Sequence, residues 1–134
     1  MAYYADTSAL VKLIVDEPES ADLHRWIIDL GHRDGVLVTS DLTRTELGRA
    51  VRRALPDRAV RVREVLDALV VLTLDSATFD AAARLDPPEL RSLDAVHLGA
   101  ALALGDDLEG FLTYDARLAD TARRHGIPVI APGA

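Results

Sequence analysis

Five short apolar runs recur through this chain, and the stretches between them are long enough for helices. Tyr3-Tyr4-Ala5, Val36-Leu37-Val38-Thr39, Val70-Val71-Leu72-Thr73-Leu74, Gly110-Phe111-Leu112-Thr113-Tyr114 and Val129-Ile130 read as strands. Thr7 or Ser8 is expected to cap a helix running to about Val15, and the turn Asp16-Glu17-Pro18-Glu19-Ser20 to start a second that ends near Gly31. Ser40-Asp41 is placed to cap a third helix to about Ala54, and Pro56-Asp57 to open a fourth that ends near Leu69. A helix over Ala77 to Leu85, the Pro87-Pro88 loop, a helix capped by Ser92 through Leu104 and a last helix from Ala116 to His125 complete the order. The helix after Ser92 is apolar nearly all round, which predicts a central, buried position. Strands that alternate with helices imply a parallel sheet covered on both faces. The expectation is a three-layer α/β/α fold with four to five short strands, one domain over residues 1–134.

A chain of 134 residues can bury one sizeable core. It has no cysteine, so disulfides, thiolate metal sites and cysteine nucleophiles are excluded. His24, His32, His97 and His125 are scattered and form no HxxxH pair, which argues against a zinc enzyme. No basic leader followed by an apolar stretch opens the chain, and its longest uncharged segment, Leu98 to Gly105, is far short of a membrane span. A cytoplasmic protein without membrane contact is expected.

The net charge of −7 argues against indiscriminate nucleic-acid binding. Its distribution is uneven, however. Residues 44–63 hold seven arginines against Glu46 and Asp57, a balance of +5 that leaves −12 for the rest. That segment is either a phosphate-binding surface or a set of solvated helix faces.

Four acids attract attention by position. Asp6 and Asp115 directly follow strand-like runs, where ligands gather in an open α/β sheet. Glu46 lies on the third helix between its apolar stripe and Arg49 and Arg53, and Asp94 lies in the first turn of the buried helix. Each also has a plain structural reading. Asp6 and Asp115 suit helix caps, Glu46 suits an i,i+3 pair with Arg49, and Asp94 suits the helix dipole. His97, one turn beyond Asp94, reads as a hydrogen-bonded core histidine or as a neighbour of the site. If the four carboxylates share a pocket, their repulsion calls for a cation, and hard oxygen donors suit Mg2+, with Mn2+ as a substitute.

Taken in order, four segments give the chain a family likeness. They are Tyr4-Ala5-Asp6-Thr7-Ser8-Ala9-Leu10-Val11-Lys12-Leu13, Thr45-Glu46-Leu47-Gly48-Arg49-Ala50, Leu93-Asp94-Ala95-Val96-His97-Leu98 and Thr113-Tyr114-Asp115-Ala116-Arg117-Leu118. Over essentially its whole length the chain resembles PIN-domain ribonucleases, specifically the VapC-type toxins of type II toxin–antitoxin pairs. The resemblance implies an acidic metal site of Asp6, Glu46, Asp94 and Asp115, with Ser8 and Thr113 as supporting polar residues. It implies an endoribonuclease dependent on one or two Mg2+ that hydrolyses RNA to leave a 5′-phosphate and a 3′-hydroxyl. It further implies a homodimer and a cognate antitoxin whose tail lies across the groove. Two rivals are a PIN-like scaffold that only binds a protein, and an aspartate phosphatase or receiver domain. The phosphatase signature needs a second aspartate two residues after Asp6, and Ser8 stands there.

Overall fold

The apolar run at the amino terminus becomes the middle strand of a five-stranded sheet. A computed structural model describes all of residues 1–134. Its strands are β1 (Ala2–Ala5), β2 (Val36–Ser40), β3 (Val70–Leu72), β4 (Leu108–Leu112) and β5 (Val129–Ile130). All pair in parallel, in the order β3-β2-β1-β4-β5. Seven helices connect them: α1 (Thr7–Leu10), α2 (Ser20–His32), α3 (Asp41–Ala54), α4 (Ala59–Asp67), α5 (Ser76–Ala83), α6 (Ser92–Leu102) and α7 (Ala116–Arg124).

The twofold alternation of strand side chains divides the interior into two layers. Ala5, Leu37 and Leu112 face one side, against Leu10 of α1, Leu23 and Leu30 of α2, Leu47 and Val51 of α3, and Val65 and Leu66 of α4. Tyr4, Val38 and Phe111 face the other, against Leu98 and Ala101 of α6 and Leu118 and Ala122 of α7. The three-layer α/β/α expectation therefore holds, with five strands. As its composition predicts, α6 is buried without interruption from Ala95 to Ala101. Gly99 lets α5 approach it closely, since a β-carbon there would stand 3.3 Å from that of Ala82.

Several boundaries differ from expectation for local reasons. The first helix stays α-helical only to Leu10 and tightens to a 3-10 turn over Val11–Leu13. Ser20 Oγ donates to the carbonyls of Lys12 (2.7 Å) and Val15 (3.3 Å), which satisfies the end of that turn. β3 stops at Leu72 rather than Leu74 because its partner runs out. Leu72 pairs with Ser40, and the next residue, Asp41, already belongs to α3. β4 begins two residues early, at Leu108, through an irregularity in its register beside Ala2 and Tyr3.

The caps also move. Asp6 itself, rather than Thr7 or Ser8, caps α1 by accepting from the Ala9 amide. Ser40 stands at the head of α3 but makes no capping hydrogen bond, because its hydroxyl faces Tyr4. Arg91 rather than Ser92 occupies the cap position of α6.

Candidate active site

Sheet order fixes where a crevice opens. From β1 the chain moves to β2 and β3 on one side, while β4 and β5 lie on the other, so the order reverses between β1 and β4. The carboxyl ends of the strands flanking such a reversal are the usual ligand position in open α/β sheets. A cavity of about 360 Å³ sits there, lined by Asp6, Thr7, Ser8, Glu46, Arg91, Ser92, Leu93, Asp94, His97 and Asp115. All four predicted acids and Ser8 thus line one cavity. Thr113 does not line it but lies directly behind, fully buried and bonded to Asp6.

Asp6 emerges from β1 and is only 3% exposed. Its Oδ1 accepts from Ser8 Oγ (2.7 Å) and the Ala9 amide (3.1 Å), and its Oδ2 accepts from Thr113 Oγ1 (2.6 Å). Those two hydroxyls in turn accept backbone amides of the segment after β4. Tyr114 N–H donates to Ser8 Oγ (2.9 Å), and Asp115 N–H donates to Thr113 Oγ1 (3.1 Å). Each hydroxyl is thereby oriented to give its proton to the carboxylate. Burial still dominates: it pushes the Asp6 carboxyl above the ordinary aspartate range, against the lowering effect of Thr113, Ser8, the nearby His97 and Ala9. A cation beside it would offset that desolvation.

Glu46 reaches the cavity from α3. Its Oε1 accepts from Thr7 Oγ1 at 2.8 Å and lies 2.5 Å from His97 Nε2. Desolvation alone would raise this carboxyl, but the hydrogen bond and charge of His97 and the Thr7 hydroxyl hold it below the ordinary glutamate range. His97 is itself anchored, with Nδ1 2.8 Å from the Tyr4 hydroxyl, which donates to Ser40 Oγ at 2.8 Å. Burial pushes the Tyr4 phenol up, so it stays protonated. One chain of contacts thus runs from β2 through β1 and α6 to α3.

Asp94 and Asp115 are arranged differently. Asp115 caps α7, its Oδ1 accepting from the amides of Arg117 (2.9 Å) and Leu118 (3.2 Å). Its other oxygen, Oδ2, faces Arg91 Nη2 at 3.4 Å, and Asp94 Oδ2 accepts from Arg91 Nε at 3.1 Å. As placed, no three acidic or histidine side chains close into a ligand cage. The donor set nevertheless fits a hard divalent cation: four carboxylates, no thiolate, and the single imidazole already engaged at both nitrogens.

Sequence reasoning missed Arg91 and Thr7 and left His97 undecided. A spacing signal exists for two of them, because Arg91 and His97 flank Asp94 at three residues on either side, one helical turn each.

Comparison with known proteins agrees with this architecture. Residues 3–124 match the PIN domain family. Ribonuclease VapC46 of Mycobacterium tuberculosis (strain ATCC 25618 / H37Rv) is 43% identical over 131 residues, spanning 98% of each chain. Ribonuclease VapC47 of Mycobacterium tuberculosis (strain CDC 1551 / Oshkosh) is 41% identical over 132 residues, 98% of this chain and 97% of that one. The structure of VapBC2 from Rickettsia felis, bound to a DNA fragment from their promoter, shares the fold with a TM-score of 0.74 at 14% identity over 98% of both chains. On the family match and on two relatives aligned over nearly their full lengths, this chain belongs to the PIN-domain family, among the VapC ribonucleases.

Proposed function

We propose that this chain is a Mg2+-dependent endoribonuclease, the toxin of a toxin–antitoxin pair, and that Mn2+ substitutes for Mg2+. The observation that carries the reading is the convergence of Asp6, Glu46, Asp94 and Asp115 on one cavity at the reversal of strand order. Asp6 and Asp94 would be the primary ligands, with Asp115 holding a second ion or its waters. When bound, the ion lowers the pKa of a water and offsets charge that builds on the phosphate oxygens.

The chain's own residues supply the rest. Glu46, kept ionised by His97 and Thr7, takes a hydrogen bond from the attacking water and orients it toward phosphorus. Ser8 and Thr113 fix both oxygens of Asp6 so that the carboxylate does not turn away. Hydrolysis in this manner needs neither a 2′-hydroxyl nor a histidine base and leaves a 5′-phosphate and a 3′-hydroxyl.

RNA reaches the cavity along α3. Arg49 and Arg53 lie three and seven residues beyond Glu46, on the same side of the helix, over about 10 Å of its length. Both are exposed and neither makes a salt bridge. Free guanidiniums at that spacing suit successive phosphates of a single strand. The active species is a homodimer, held in check by an antitoxin whose tail crosses the same groove. No helix is long and apolar enough to cross a membrane, in keeping with a cytoplasmic site of action.

The test is to express the wild type and Asp94→Asn in bacterial cells and map new RNA 5′-ends, then repeat cleavage with purified protein in Mg2+ and in EDTA. Discrete ends from the wild type alone, suppressed by EDTA, are expected. Identical maps from both folded proteins would leave the non-catalytic scaffold as the better reading.

A further inference from the structure

Arg91 is the only guanidinium lining the acidic cavity. It stands in extended backbone at the head of α6, and its side chain makes no capping bond there. What it does hold is selective. Both oxygens of Asp6 are taken by Ser8, Ala9 and Thr113, and one oxygen of Asp115 is taken by the amides that start α7. Arg91 pairs with the remaining oxygen of Asp115 and with Oδ2 of Asp94, for which no other partner exists in the structure. It therefore occupies two carboxylate oxygens that carry no structural duty.

The side chain that does so is not fixed in place. Arg91 is 61% exposed, whereas the Asp94 and Asp115 side chains are 16% and 30% exposed. Exposed ion pairs are weak, so a dication competing for the same two oxygens would displace a monovalent guanidinium. The displaced group cannot go far, since Arg91 lies one helical turn before Asp94 at the cavity mouth. Its planar fork matches a phosphate in two parallel hydrogen bonds, better than the compact charge of a lysine.

We propose that Arg91 is a phosphate-binding residue that changes partners. It pairs with Asp94 and Asp115 until a divalent cation takes those carboxylates, and then it engages the phosphodiester of the RNA. The proposal rests on the metal-nuclease reading above and deepens it. Its consequence is reciprocal coupling: a cation that frees Arg91 raises affinity for RNA, and RNA that captures Arg91 raises affinity for the cation.

The experiment uses the full chain with Glu46→Gln, so that bound RNA persists, with Arg91 as arginine, lysine or alanine. Mn2+ affinity is read by calorimetry without RNA, and binding of a fluorescein-labelled single-stranded RNA by anisotropy with and without Mg2+. Arg91→Ala is expected to bind Mn2+ about two- to fivefold more tightly, because its internal competitor is gone. In saturating Mg2+ it is expected to bind RNA about tenfold more weakly, the loss of one charge-assisted contact, with Arg91→Lys in between. Mg2+ should strengthen RNA binding less in Arg91→Ala than in its parent. Thermal melts of the three proteins report any change of fold. Unchanged or weaker Mn2+ binding with unchanged RNA affinity in Arg91→Ala would overturn the proposal, while wild-type cleavage in Mg2+ leaves the nuclease reading standing. A wild type that neither binds Mn2+ nor cuts RNA would overturn both.

Discussion

His97 Nε2 stands 2.5 Å from Glu46 Oε1, so the only acid that α3 brings to the cavity is held by a side chain of α6. The histidine is buried, and its other nitrogen is fixed by Tyr4 of the central strand. Removing it strips Glu46 of its orienting partner and leaves the Tyr4 hydroxyl with one contact fewer. His97→Ala is expected to slow cleavage by about 10- to 100-fold, the usual effect of losing a group that orients a reacting one. It should also destabilise the fold by about 1–3 kcal/mol through unsatisfied buried polar atoms. His97→Gln, which can still donate to Glu46, should recover part of the rate. Cleavage assays beside thermal melts separate the effects, and full activity in a folded His97→Ala protein would rule out the orienting role.

The same contact sets a pH dependence. The Glu46 carboxyl is held below its ordinary value in the folded chain, so ionised Glu46 adds stability that is fully present above the unfolded value of about 4. That contribution is lost as pH falls through the lower folded value. In EDTA, wild type is therefore expected to be more stable than Glu46→Gln near neutral pH, and the gap should close on acidification below about pH 4. Denaturant melts from pH 3 to pH 7 read this directly. A gap that widens in acid would contradict the assigned cause.

Asp94→Asn should behave in the opposite way to a core substitution. Its carboxylate pairs only with the exposed Arg91, and such pairs contribute at most about 1 kcal/mol. Loss of that pair is offset by relief of repulsion among the acids of the cavity. Melting in EDTA is expected to stay within about 1 kcal/mol of wild type while cleavage disappears. A sharp fall in stability would mean that Asp94 serves the start of α6 rather than chemistry.

Some of this was legible in the chain and some was not. The strand runs and their helical spacers announce the layers, because burial on both faces forces near-continuous apolar strands such as Phe111-Leu112 in β4, where both side chains are fully buried on opposite faces. Boundaries depend on partners that lie far away in sequence. β3 ends at Leu72 because Ser40 is the last residue β2 can offer, which no local propensity at Thr73 or Leu74 reveals. The four acids stood out by their places after strands and on helix faces, and they share one cavity. The supporting contacts were hidden. That Ser8 and Thr113 grip the same carboxylate depends on β1 lying beside β4, a pairing across more than a hundred residues. Arg91 lies three residues before Asp94, a local signal, but its second partner, Asp115, is 24 residues away at the head of α7.

Thr113→Val tests the support of Asp6 without changing the size of the side chain. The substitution removes the hydroxyl that donates to Asp6 Oδ2 and the acceptor for the Asp115 amide. A stability loss of about 1–3 kcal/mol is expected, together with a higher Mg2+ requirement for cleavage, because one Asp6 oxygen is no longer held. Ser8→Ala should act similarly and also release the Tyr114 amide. Magnesium titrations of the cleavage rate check this, and an unchanged midpoint in both variants would remove Ser8 and Thr113 from the site.

Arg49 and Arg53 give the last prediction, which decides between the two readings of the basic segment. As phosphate contacts they act through counterion release, so each should add to the salt dependence of RNA binding. Arg49→Ala and Arg53→Ala are each expected to lower the slope of log affinity against log salt by about 0.7, the value for one contact to a single strand. Binding should weaken by a similar factor across RNA sequences, because phosphates carry no sequence information. Neither variant should move the melting temperature, since both side chains are exposed and form no ion pair. The seven arginines of residues 44–63 provide an internal control, because Arg44 and Arg61 are already paired with Asp41 and Glu64. Arg44→Ala and Arg61→Ala should leave the salt slope nearly intact. Equal effects at all four positions would mean that the segment acts only as a diffuse positive surface rather than as a track leading to Glu46.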